Sequence, residues 1–411
     1  MQHWAKIQYT EPDCYNVDNN DFVTTWDTGY ASILTNLTAI TRSELGNDSY
    51  TAVAEILKAW TFLLLTNLYG DIPYTEYATT TTPAYDSQET VLRGLLADLS
   101  SAATLLSQSR EGISGDLVYG GDLTKWLKLA NSLRLRIALE LADRDEATAR
   151  EIIAAAYSNR QNLISGNDDN FSFRFTASPQ WNPWASAFSA RDDQRVSKTL
   201  VDKLTELGDP RLPVFAQLPQ DTSVDHYAGA GNGLSADAAN NQGFYKVSRP
   251  GTAFLADDAP AVFFTYAEVL FSFAEAAARG FINADAAALY SQAVSASLKQ
   301  YGADEEEIRE YLQKDGVKYD AARWYESIGW QKWIAFYGQG PDAFTDWRRL
   351  GYPTLTPGPN TVLDPGETPR RFFYPSTEQS LNSVSYKVAV SRQGVDLITT
   401  RLWFDVENKG R

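Results

Sequence analysis

The chain has 411 residues, with 36 Lys and Arg against 52 Asp and Glu, a formal charge of −16. Hydrophobic residues make up 44% and charged residues 21%, a globular mixture that can bury a sizeable core and, at about 150 residues per domain, hold two to three domains or one large one. The acidic balance argues against nucleic acid and anionic membrane surfaces; the lone Cys14 excludes an intrachain disulfide, and His3 and His226 are too few for a three-imidazole metal centre.

Met1-Gln2-His3-Trp4 has neither the basic nor the apolar region of a secretory leader, so a natural leader, if there is one, is expected to have been removed. Cys14 follows Glu11-Pro12-Asp13 rather than the small apolar run that precedes a lipidated cysteine, and reads as an ordinary residue. Apolar runs such as Trp60 to Leu65 break well short of the ~20 residues of a membrane-spanning helix.

The first half reads as helices. Asp21 to Thr41 carries Phe22, Trp26, Tyr30, Ile33, Leu34 and Leu37 at helical spacing. Asp48 or Ser49 is placed to cap a second helix that runs to Tyr69, where Gly70 suits the position after a helix end. Ser87 to Ser107 is the third, Asp122 caps the fourth, and Glu146 to Ser158 is the fifth.

The stretch from about 165 to 260 is rich in Asn, Asp, Gly, Pro and aromatics, and one helix, near Ser197 to Leu207, interrupts it. Long irregular stretches of this kind tend to carry function. Helices resume at Phe264 to Arg279 and Ala284 to Tyr301, a hairpin with Ala where helices touch closely, about the length of a 34-residue tetratricopeptide unit. Residues 49–107 and 122–158 read as degenerate copies, which would build a short solenoid. Asp304 to Leu312, Ala321 to Tyr337 and Phe344 to Leu350 follow. The Pro-rich tail reads as loop, with a β-like end at Asp396 to Phe404.

The order of several segments resembles the SusD/RagB family of outer-membrane nutrient-binding lipoproteins, in its SusD-like branch. They are Ala59-Trp60 through Gly70-Asp71-Ile72-Pro73-Tyr74, Gly121-Asp122-Leu123-Thr124-Lys125-Trp126, Asp209-Pro210-Arg211, Gln331-Lys332-Trp333, Asp346-Trp347-Arg348-Arg349, and Pro369-Arg370-Arg371-Phe372. The resemblance implies an all-α scaffold of tetratricopeptide-like hairpins with a loop-rich region packed on it. It places a single SusD-like domain over 1–411, with the helical scaffold at 20–160 and 262–350 and the ligand-binding loops at 165–260. It also implies a lipid-anchored protein of the outer-membrane surface that captures a glycan or other nutrient, delivers it to a TonB-dependent SusC-like transporter, and is not an enzyme.

The loop aromatics are the candidate site. Flat Trp and Tyr rings stack on the apolar faces of sugars while Asn and Gln satisfy hydroxyls. Trp181-Asn182-Pro183-Trp184 sets two indoles and an amide on a Pro-stiffened loop; the alternative is a plug packed back on the helices. Tyr227, with His226 beside it in a Gly-rich loop, and Tyr245 join the candidates. Tyr15 and Asn19, ahead of the first helix, could line the same face. Two competing functions stay open. A helical glycoside hydrolase would use paired carboxylates such as Asp192-Asp193 or Glu268 and Glu275, and a tetratricopeptide groove could serve as an interaction scaffold. No metal is assigned; the run Asn167-Asp168-Asp169-Asn170 offers some of the six or more oxygens calcium needs, or is a solvated loop.

Overall fold

The computed structural model describes residues 2–43, 47–109, 111–176 and 181–407. Contacts gather into two compact units, each interleaved along the chain. A helical unit takes Asp18–Ser165, Arg279–Asn283 and Pro369–Arg411; a loop-bearing unit takes Met1–Val17, Gly166–Ala278 and Ala284–Thr368. The scaffold block expected at 20–160 falls in the helical unit, whereas the block at 262–350 shares its unit with the loops at 165–260.

In the helical unit, Asp48–Tyr69, Gln88–Gln108, Leu123–Leu141 and Glu146–Ser158 each pack on the helix before, the arrangement of tetratricopeptide-like pairs. Their starts are chemically marked. The side chains of Ser87, Asp122 and Asp145 accept hydrogen bonds from the otherwise unpaired first-turn amides. The helix from Asp48 is capped by Asn47, not by Asp48 or Ser49; the Asn47 Oδ1 accepts from Ser49 N at 2.9 Å. By length and composition this helix could cross a membrane, but most of it is buried within the fold.

At its end Gly70 adopts φ 87°, and the turn that follows is locked by Asp71. The Asp71 Oδ1 accepts from Gln88 N at 2.8 Å and Oδ2 from Arg392 Nε at 2.6 Å. The helix expected at Asp21 to Thr41 is three pieces: Asn19–Asp27, a π-helical stretch Thr28–Leu34, and Thr35–Thr41. The wide turns fall where Gly29 lies so close to Leu65 that an added Cβ would come to 3.0 Å.

The tail also departs from expectation. Ser376–Leu381 and Ser383–Gln393 are helical, and Asp396 to Phe404 runs as turns, with Thr400 N donating to Leu397 O at 3.0 Å and Asp405 N to Leu402 O at 3.0 Å. Ile398, Leu402 and Phe404 are buried as side-chain plugs, and their apolar spacing mimics a strand.

In the loop-bearing unit, Tyr266–Ala278 and Ala286–Gln300 form the expected hairpin, with Ala274, Ala276, Ala293 and Ala296 buried. Two antiparallel two-stranded sheets carry the loops: Trp4–Lys6 with Gln194–Val196, and Phe171–Arg174 with Pro260–Phe264. The expected helix near Ser197 to Leu207 is Lys198–Leu207, capped by Ser197 and ended by Gly208 at φ 55°.

Candidate ligand-binding surface

The short strand Trp4–Lys6 organises the surface. It pairs Trp4 with Val196 and Lys6 with Gln194. Alternation sends Ala5 and Ile7 into a small core with Ala230, Ala239 and Val247, and leaves Trp4 on the opposite face. The Trp4 indole Nε1–H donates to the Tyr337 hydroxyl at 2.8 Å, which fixes its plane.

Trp184 meets that indole edge to face, with ring centroids 4.6 Å apart, and Phe188 flanks Trp4 at 5.7 Å. Trp184 and Phe188 sit on the helix Pro183–Ala190, which Pro183 begins without losing a needed donor. Asn182 caps it. Its Oδ1 accepts from Trp184 N at 3.0 Å, and its Nδ2 donates to Phe254 O at 2.8 Å and Ala256 O at 2.9 Å. The amide is thus buried and committed to holding the turn, and its role is to position the two indoles. Trp181 remains 59% exposed and Trp184 45%. Large exposed aromatics held on a pinned turn mark a surface ready to stack.

His226, Tyr227 and Tyr245 belong to one neighbouring loop pair. Asp221 N donates to Tyr245 O at 2.9 Å, Ala228 N to Ser248 Oγ at 3.1 Å, and Ser248 N to Ala228 O at 2.7 Å. His226 is exposed and touches Asp225 at 3.3 Å; Tyr245 is exposed and Tyr227 half-buried. Arg249 links this pair to the indole turn, stacking its guanidinium 5.8 Å from the Phe188 ring while its Nε donates to Asp192 at 3.1 Å.

Tyr15 and Asn19 fall in different units. Tyr15 is half-buried at φ 61° and burial pushes its phenol up. Asn19 donates its amide to Tyr374 O at 2.6 Å and so fastens the start of its helix.

The carboxylate pairs are engaged in the fold. Asp192 binds Arg195 at 2.9 Å and Arg249 at 3.1 Å; Asp193 binds Lys6 at 3.0 Å and Arg191 at 3.2 Å; Glu275 takes both Arg349 Nη atoms. In the run at 167–170, Asn167 Nδ2 donates to Ala296 O at 3.0 Å and Asn170 Oδ1 accepts from Tyr266 N at 2.8 Å, so two of its amides stitch the loop to the hairpin. Among the described residues, no three His, Cys, Asp or Glu side chains are grouped to hold a metal ion.

A family model described as starch-binding and associating with the outer membrane matches residues 1–375. The chain belongs to the SusD-like family. No curated protein matches it by sequence, but solved structures do. A chitin-binding protein is 30% identical with a TM-score of 0.88, covering 99% of this chain and 93% of that one. A chitin-binding SusD homologue from Flavobacterium johnsoniae is 26% identical with a TM-score of 0.90, covering 99% and 92%. A SusD homologue from Bacteroides uniformis is 25% identical with a TM-score of 0.91, covering 99% and 93%. SusD-like proteins bind; they are not enzymes.

The SusD-like signature segments prove to be scaffold. Arg211 is fully buried, with Nε on Asp209 Oδ1 at 2.9 Å, Nη2 on Asp209 Oδ2 at 2.6 Å and Nη1 on Ser297 Oγ at 2.8 Å; Gln331 and Tyr311 close the ring. Here burial alone would push Asp209 up, but the Arg211 charge and the hydrogen bonds outweigh it and hold the carboxyl below its ordinary range. A second network joins Arg349 to Glu275 at 2.5 and 2.6 Å and to Asp346 at 2.9 Å, with Lys332 on the other side of Asp346. Buried charges persist only when paired in this way.

Two members of the aromatic surface escaped the sequence reading. Trp4 lies 180 residues ahead of Trp184, which it packs against, and Tyr9, 61% exposed at φ 55°, receives the Arg191 guanidinium 4.2 Å above its ring. Both satisfied the aromatic criterion; only strand pairing reveals that they belong to the same unit as the loops.

Proposed function

We propose that this SusD-like protein captures a glycan at the cell surface on the aromatic face of Trp4, Trp181 and Trp184. It hands the glycan to a TonB-dependent SusC-like outer-membrane transporter, and a lipid anchor holds it at the membrane. The observation that carries the reading is the pair of half-exposed indoles on a turn locked by the buried Asn182 amide. A pre-set aromatic platform loses little entropy when a sugar ring settles on it. The starch-binding family description and the chitin-binding relatives support a glycan as the ligand.

Delivery needs a protein partner, and the helices Ser376–Leu381 and Ser383–Gln393 with the turns after them carry exposed apolar residues for one. Leu381 and Val384 are 76% and 77% exposed, and Val388, Val395 and Leu397 are also exposed. Exposed apolar clusters of this kind mark association sites. Retention on insoluble chitin and starch, followed by titration with their soluble oligosaccharides, tests the capture step. Binding weakened in Trp181→Ala with Trp184→Ala, with the fold intact, is the expected result; a double variant that binds as tightly as wild type, or a wild-type protein that retains no glycan, overturns the reading.

A further inference from the structure

The helical unit contains a groove that the proposed site does not use. Its cavity is about 790 Å³, inside the ~300–1,000 Å³ range of ligand pockets. Phe62 forms a buried floor, and the rings of Tyr74 and Tyr77 stand edge-on to it at 5.1 and 4.9 Å. A smaller cavity of about 370 Å³ adjoins it; Tyr77 lines both. Tyr77 is therefore a wall shared by two consecutive pockets, the layout of an extended trough.

The trough is built rather than incidental. Tyr74 N and Thr75 N donate to Asp86 Oδ2 at 3.2 and 2.8 Å, the Tyr30 hydroxyl donates to Pro73 O at 2.8 Å, and Ala84 N donates to Glu76 Oε2 at 3.0 Å, so the loop that presents both tyrosines is tied back at several points. The Tyr74 hydroxyl donates to Asp98 Oδ2 at 2.5 Å, and the Tyr77 hydroxyl meets Thr38 Oγ1 at 2.5 Å. Gly94 sits in mid-helix, where glycine weakens a helix, and a Cβ there would come to 2.5 Å of the Tyr74 ring. The sequence thus keeps a helix-weakening residue where Tyr74 must seat.

We infer that this trough is a second glycan-binding site. The inference rests on the glycan reading above. The chemistry favours a sugar over an apolar peptide anchor. Half-buried tyrosine rings offer faces for C–H stacking, while the Glu55–Lys58 ion pair, the Asp98 carboxylate that also holds Tyr74, and the exposed hydroxyls of Ser101 and Thr104 line the rim to meet sugar hydroxyls.

Isothermal titration with soluble chito- and malto-oligosaccharides tests this on the intact chain. In the double variant Trp181→Ala, Trp184→Ala one binding event should remain. Adding Tyr77→Ala should weaken it by at least about tenfold, as loss of an aromatic anchor does. Ser101→Arg, at an exposed rim position that leaves packing untouched, should do the same by filling the trough. The inference is overturned if the folded double variant takes up no sugar, or if Ser101→Arg and Tyr77→Ala leave its remaining binding event unchanged. A wild-type protein that binds none of these sugars refutes the glycan reading itself, and this site with it.

Discussion

Trp184→Ala and Trp126→Ala form a matched pair that separates ligand contact from packing. Trp184 is 45% exposed and packs edge to face on Trp4 at 4.6 Å. Losing that aromatic pair costs ~0.5–1.5 kcal/mol, and losing the buried half of the ring costs a similar amount, so stability should fall by about 1–3 kcal/mol. Sugar affinity should fall about 5- to 150-fold, the span of an aromatic hot spot worth ~1–3 kcal/mol. Trp126 is 1% exposed, and its Nε1–H donates to Asp116 Oδ2 at 2.8 Å. Truncating it should cost about 3–5 kcal/mol. It also removes the foremost of the hydrogen bonds that, against burial, keep the Asp116 carboxyl below its ordinary range. The folded fraction of that variant should bind as wild type does. Thermal melts and titration calorimetry on both variants give the answer. If Trp184→Ala melts as deeply as Trp126→Ala while its folded fraction binds sugar normally, the indole is packing and the stacking argument fails.

Three further outcomes follow from the structure. Arg349→Met strands the buried Glu275 beside Asp346 and should destabilise the protein by about 3–5 kcal/mol; adding Glu275→Met should recover part of the loss, read by melting temperature. Burial drives the His3 imidazole well below its ordinary value of 6.5, with its Nε2 donating to Trp333 O at 2.9 Å. The unfolded chain therefore takes up a proton that the folded chain refuses. His3 thus costs up to about 1.4 kcal/mol of stability per unit as pH falls below 6.5, and His3→Gln should flatten the melting curve against pH over that window. Val384→Glu with Val388→Glu, on the exposed apolar helix face, should abolish co-purification with the transporter from native membranes while sugar affinity stays at the wild-type value.

The helical scaffold was legible because its signals are local. Ser87, Asp122 and Ser197 sit where caps must sit, and the Ala-rich hairpin announces close contact. The π-helical stretch at Thr28–Leu34 was not legible, because it coincides with Leu65 lying against Gly29, a contact no local pattern records. Asp396 to Phe404 misled for the converse reason: alternating apolar residues satisfy a strand pattern even when they plug a helical core one by one. In the candidate surface, Trp181 and Trp184 stand out by residue type, but the stretch expected to be a loop turns into the helix Pro183–Ala190, on whose first turn Trp184 sits. Asn182 was found but misassigned in role, since a capping amide and a ligand-facing amide look alike in sequence. Trp4 and Tyr9 depended on a pairing with residues near 194.

That pairing has a consequence for how the chain acquires its form. The strand Trp4–Lys6 is synthesised some 190 residues ahead of its partner, Gln194–Val196. At ~5–20 residues per second, this leaves it without a partner for roughly 10–40 s. For that interval the chain carries an open strand edge with a tryptophan on it, a template for mispairing. Whatever shepherds the nascent chain must therefore guard this strand until its partner is made, and substitutions in it act on assembly before they act on binding.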